Sequence, residues 1–122
     1  MEVVFRMSDD DVLVVCIKGD IDHHSASPLR QSIDKSMKEF KCRHLVLDFA
    51  EVGFMDSSGI GVVLGRYKKL VKTGGQLYIS GCTVYIEKLL DMAGVFSLVG
   101  KAADWQEAAA LIKGQKQMCM EV

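Results

Sequence analysis

Apolar residues recur along this chain with two spacings, and the alternation between them lays out a fold. Val3 to Met7 reads as a short strand and Asp9-Asp10-Asp11 as a polar turn. Val12-Leu13-Val14-Val15-Cys16-Ile17 follows as a β-branched strand covered on at least one face. Gly19-Asp20-Ile21-Asp22-His23-His24 breaks that run and predicts a loop. Ser25 or Ser27 can then cap a helix, with Pro28 in its first turn, where a missing N–H costs nothing. Leu29, Ile33, Met37 and Phe40 give that helix one apolar face, and Leu45-Val46-Leu47-Asp48-Phe49 is a compact strand after it.

A second helix is predicted from about Ser57 to Lys72. Its apolar residues Ile60, Val63, Leu64, Tyr67, Leu70 and Val71 fall at offsets 0, 3, 4, 7, 10 and 11, and Gly74-Gly75 supplies a stop. Gln76 to Ser80 is a strand, and Thr83 can cap a helix that turns Ile86, Leu89, Leu90 and Ala93 inward and ends at Gly94. Phe96-Ser97-Leu98-Val99 reads as the last strand. Asp104 with Glu107 then resembles a capping box for a helix through Ala108-Ala109-Ala110-Leu111-Ile112 to Gly114. The expected domain is therefore residues 1–114, with 115–122 as a loose tail that carries no periodic pattern. Two strands and then alternating helices and strands imply an α/β fold. Its sheet is mixed and mostly parallel, with an antiparallel hairpin at the start.

Composition narrows the function classes. The chain has 122 residues, enough for one domain, and its 49% hydrophobic content is too high for a disordered protein. Its 15 basic and 16 acidic residues nearly cancel, which leaves no footprint for nucleic acid or an anionic membrane. The start lacks the basic and apolar regions of a signal peptide, and no stretch has the apolar length of a membrane span. Cys16, Cys42, Cys82 and Cys119 are too scattered for a zinc site or a disulfide framework. Reduced cysteines place the chain in the cytoplasm.

The candidate chemistry lies in Gly53-Phe54-Met55-Asp56-Ser57-Ser58-Gly59-Ile60-Gly61, between a buried strand and the strongest helix. Either serine could simply cap that helix. A hydroxyl there also stands at the carboxyl end of a strand, on the rim where α/β proteins gather ligands and partners. It faces unpaired N–H groups and the positive end of the helix dipole, so the fold would tolerate a phosphate on it. Such a phosphate adds about −1.5 to −2 charges at neutral pH, enough to change binding while the domain stays folded.

Phe54-Met55-Asp56-Ser57-Ser58-Gly59-Ile60-Gly61-Val62-Val63-Leu64-Gly65-Arg66-Tyr67-Lys68 resembles the phosphorylation segment of anti-sigma factor antagonists of the STAS family. Gly19-Asp20-Ile21-Asp22-His23-His24 resembles the loop of the family's sporulation branch, and order and spacing agree along nearly the whole chain. The resemblance implies a single STAS-like domain, with about four helices packed mainly on one side of a small sheet. It also implies a cycle. The unmodified protein binds an anti-sigma factor that is itself a serine kinase, which frees the sigma factor. The kinase uses ATP to phosphorylate the antagonist, the pair separates, and a metal-dependent serine phosphatase resets it.

Carried onto this chain, the phosphoacceptor is Ser57, and Ser58 is its neighbour, a cap or a contact. Asp22 and His23 in the first β–α loop, with Asp56, Ser58, Gly59, Gly61, Val62, Gly65 and Arg66, form the expected partner surface. Asp22 could receive a partner's cation, orient the serine or cap the next helix. Gly61, Val62, Gly65, Arg66 and Lys69 lie off the apolar stripe, and two helix glycines, each costing roughly 1 kcal/mol against alanine, suggest a backbone that must come close.

Other chemistries lack parts. Gly59-x-Gly61-x-x-x-Gly65 has no acidic residue near Tyr78-Ile79-Ser80-Gly81 to hold a ribose, and no Gly-Lys-Ser/Thr makes a P-loop. Met55 stands where a hydrolase elbow needs glycine, and His23-His24 alone is no metal pair. The expectation is a monomeric, non-catalytic regulator with no cofactor and no metal. A nucleotide-binding or constitutive scaffold STAS module is the alternative.

Overall fold

The structure, a computed structural model, describes residues 1–8 and 11–121, with the side chains of 115–121 left out of the description. Asp9 and Asp10 of the predicted turn and the Cys119 thiol thus lie outside the described residues. Five strands, β1 (Glu2–Ser8), β2 (Val12–Ile21), β3 (His44–Met55), β4 (Leu77–Ser80) and β5 (Gly100–Ala102), form one sheet in the order β1-β2-β3-β4-β5. β1 and β2 make the predicted antiparallel hairpin; every later pairing is parallel, joined by α1 (Ala26–Phe40), α2 (Ser57–Val71) and α3 (Val84–Met92). α4 (Trp105–Glu121) closes the chain.

Alternation along the strands sorts the core into two layers. Leu13, Val15, Ile17, Leu45, Leu47, Phe49 and Ile79 face α1, α2 and α3, whose Leu29, Ile33, Val63, Leu70, Ile86 and Leu90 fill that side. Val12, Val14, Val46 and Tyr78 face the other way, where α4 sets Ala108 and Ile112 against them. Three helices thus share one face of the sheet, and α4 alone covers part of the reverse. Each fully covered Leu or Ile contributes roughly 1.5–3 kcal/mol, so the three-helix layer carries most of the burial.

Several predicted elements are placed differently. Phe96–Val99 is not a strand: Gly94, with φ 77°, turns the chain into a 3₁₀ turn over Val95–Ser97, and β5 comes after it. Val95 and Val99 are both buried, a helical spacing that the apolar run concealed. β3 does not stop at Phe49 but runs to Met55, because β2 continues beside it through two register shifts. Gly114 does not end α4. Phe40 and Val71, predicted to face inward, are about half exposed at the last residues of their helices.

β3 outruns β4. Leu45–Asp48 pair with Leu77–Ser80, while the later residues of β3 pair only with β2. The β3–α2 corner, with the end of β2 beside it, therefore runs past the end of β4.

Candidate functional site

Asp56 forms that corner. Its backbone is extended (φ −113°, ψ −169°), and its Oδ1 accepts the Ser58 N–H at 2.8 Å, capping α2. Its own N–H donates to the Ile21 carbonyl at 3.2 Å, which ties this corner to the loop after β2. Neither serine is the cap, so the cap role expected for Ser58 belongs to Asp56. Ser57, the first residue of α2, is exposed, and its hydroxyl makes no hydrogen bond among the described residues. Ser58 is half-buried and faces the groove between α2 and α1.

The neighbouring loop is held by its own polar groups. Asp22 Oδ1 accepts the N–H groups of His24 at 2.9 Å and Ser25 at 3.0 Å. Ser25 Oγ accepts the Asp22 N–H at 2.9 Å and donates to the Asp20 carbonyl at 2.8 Å. Ser25 is thus spent on the loop and makes no side-chain cap bond to α1. The Ser25 and His24 bonds hold the Asp22 carboxyl below its ordinary range, so it stays ionised. No hydrogen bond joins Asp22 to Ser57 among the described residues; Asp22 orders the loop beside it. His23 is exposed, its ring edge-on to His24 with centroids 5.4 Å apart.

Along α2 the predicted surface divides. Gly59 is buried, and a Cβ there would collide with Met55 and press on Ile21, so the corner needs a glycine. Gly61 and Gly65 are different: a Cβ on either would meet nothing within 4 Å. The protein's own packing gives no reason for them. Val62 and Arg66, expected off the apolar stripe, are only 6% and 5% exposed, because α1 packs over that side of α2.

Arg66 is held there by Asp34 of α1, which the sequence reading did not single out. Arg66 Nε lies 3.0 Å from Asp34 Oδ1, and exposed Lys69 Nζ lies 3.0 Å from Oδ2. The Arg66 contact is ionic but lacks hydrogen-bond alignment, leaving Nε and Nη1 without an acceptor. Burial pulls the guanidinium below its ordinary pKa while Asp34 resists. Nothing in the sequence marks Asp34 until α1 is laid on α2.

No group of acidic, cysteine and histidine side chains suited to a metal ion occurs among the described residues. No helix described is long and apolar enough to cross a membrane. Cys16, Cys42 and Cys82 are free thiols, and burial pushes Cys82 up to about 12. Such thiols are poor nucleophiles at neutral pH.

The STAS domain profile matches residues 7–108, which include β2 through β5 and the whole rim just described. This chain belongs to the STAS domain family. Among STAS proteins it is 39% identical over 88 residues to the anti-sigma F factor antagonist of Paenibacillus polymyxa, covering 72% of this chain and 75% of the relative. To the anti-sigma-B factor antagonist of Bacillus subtilis (strain 168) it is 28% identical over 103 residues, covering 84% and 92%. The solved structure of the anti-sigma factor antagonist SpoIIAA in its unphosphorylated form superposes with a TM-score of 0.80 at 25% identity, covering 93% of this chain and 97% of that one. The mostly parallel sheet and four helices expected from sequence are those of this STAS fold.

Proposed function

We propose that this STAS protein is an anti-sigma factor antagonist of the sporulation type, switched off by phosphorylation of Ser57. The observation that carries the reading is the exposed, unbonded Ser57 hydroxyl on a corner whose capping is done by Asp56. The names of the relatives supply the class of partner, an anti-sigma factor. In the unmodified state the rim docks on an anti-sigma factor that is also a serine kinase, and the sigma factor is freed. The kinase then transfers the γ-phosphoryl group of ATP to Ser57 Oγ; the hydroxyl proton is lost and ADP leaves. A metal-dependent phosphatase hydrolyses the ester, returning serine and inorganic phosphate.

The chain's part in this cycle is that of substrate and ligand, not enzyme. It works in the cytosol as a monomer that binds in trans, through residues 1–114, with 115–122 as an appendage. The phosphate meets no structural role at Ser57, so the fold survives it. The partner meets about −1.5 to −2 new charges beside Asp56, and docking fails.

Incubation with the cognate kinase and ATP is expected to add one phosphate, which tandem mass spectrometry places on Ser57. A phosphate on Ser58, or none at all, would overturn the assignment. Retention of nucleotide without kinase would instead support a nucleotide-binding module.

Gly61 and Gly65 fit the same reading as places where a partner backbone comes close. Alanine at both is expected to stabilise the free domain by about 1 kcal/mol each, since helix propensity rises and nothing is displaced. Calorimetry is expected to record weaker kinase binding by the same double variant. Unchanged affinity would remove the glycines from the interface.

A further inference from the structure

A cavity of about 280 Å³ lies between the first turns of α1 and α2, walled by Ala26, Ser27, Arg30, Ser58, Gly61 and Val62. Its size stands at the small end of the roughly 300–1,000 Å³ of small-molecule pockets, and it has room for one or two side chains. Arg30 is the one charged residue in its wall. Arg30 is exposed, and its one side-chain hydrogen bond among the described residues is to Ser27 Oγ, at 3.4 Å, which leaves most of its donor fork unused.

The surroundings add positive charge. The Asp34 carboxylate is shared by Arg66 and Lys69, so it is spent on cations other than Arg30. The positive field of Arg30 reaches Arg66 and helps lower its pKa. Of the rim acids, Asp56 caps α2 and Asp22 binds the backbone of its own loop, and neither they nor exposed Asp20 line the cleft.

We infer that the α1–α2 cleft, whose wall includes Ser58 next to Ser57, receives an acidic side chain of the partner, bound by Arg30. The inference rests on the proposed kinase partner and specifies the chemistry of its contact. It also gives phosphorylation a target. A phosphate on Ser57 stands beside a cleft occupied by a carboxylate of like sign, and the repulsion acts on the contact that holds the two proteins together.

The test compares Arg30→Glu with wild type and with Lys35→Glu, a reversal on α1 at an exposed residue whose ion pair among the described residues is with Glu39. Calorimetric titration with the unphosphorylated cognate kinase is expected to give at least tenfold weaker binding for Arg30→Glu. Lys35→Glu is expected to stay within twofold of wild type. Acid-to-lysine changes across the kinase surface should include one that restores binding to Arg30→Glu alone. Arg30→Glu binding as tightly as wild type would overturn the cleft while leaving the Ser57 switch standing. Equal loss in both reversals would reduce the effect to net charge and overturn it too. No binding by wild type would sink the antagonist reading itself, and the cleft with it. Because Arg30 is exposed, circular dichroism should find all three proteins folded alike.

Discussion

Ser57→Asp is expected to bind the cognate anti-sigma kinase roughly a hundredfold more weakly than wild type, with its melting temperature unchanged. The two halves of that expectation have separate causes. The corner is held by Asp56, which caps Ser58 and bonds to Ile21, and Ser57 is exposed, so a carboxylate there disturbs no intramolecular contact. At the interface, a like charge brought into a docked surface costs several kcal/mol, and about 2.8 kcal/mol is a hundredfold. Ser57→Ala supplies the complement: it should bind as wild type does and stay bound when ATP is added. Ser58→Ala should still be released. Titration calorimetry with and without ATP separates the three variants, and ATP-driven release of Ser57→Ala would take the switch away from this residue.

The second large effect concerns the fold. Asp34→Ala removes the carboxylate that, among the described residues, pairs with the Arg66 guanidinium, which is 5% exposed and has two nitrogens without acceptors. Breaking a buried ion pair from one side costs about 3–5 kcal/mol. Asp34 keeps some contact with solvent, so about 2–3 kcal/mol is expected here, with a melting temperature lower by roughly 10 °C. Adding Arg66→Met to Asp34→Ala should recover much of the loss, because the methionine leaves no stranded charge. A single variant as stable as wild type would mean that Arg66 reaches water unaided. Differential scanning calorimetry of the three proteins decides it.

The elements best read from sequence are those whose burial repeats with a clean period. Val12 to Ile17 of β2 alternate between two covered faces, and α2 carries Val63 and Leu70 at helical spacing, so these were legible from the chain alone. Gly19 to Ile21, read as loop, are strand because they pair with β3. β5 was not legible either. Gly100-Lys101-Ala102 has no strand propensity and is held by its pairing with Tyr78-Ile79-Ser80, while the more apolar Phe96–Val99 curls under Gly94. The length of β3 depended in the same way on β2 running alongside it.

At the corner, the sequence marked Asp56, Ser57 and Ser58 as a helix start and the resemblance pointed to Ser57, but which residue caps α2 needed geometry. Two serines and an aspartate are all good caps, and only the corner's backbone decides which one serves. Arg66 and Val62 were misjudged for a longer-range reason. A helix's second buried side depends on where its neighbour lies, and no periodicity within α2 reports the position of α1. Asp34 and Arg30 were missed for the same cause.

The division of labour at the β3–α2 corner has a kinetic consequence. Under the proposed function the residue that secures the helix, Asp56, is not the one that carries the mark, so writing or erasing it calls for no conformational relaxation by this chain. The lifetime of each proposed state would then follow from the kinase and phosphatase alone, and the protein could pass between them many times without risking its own unfolding.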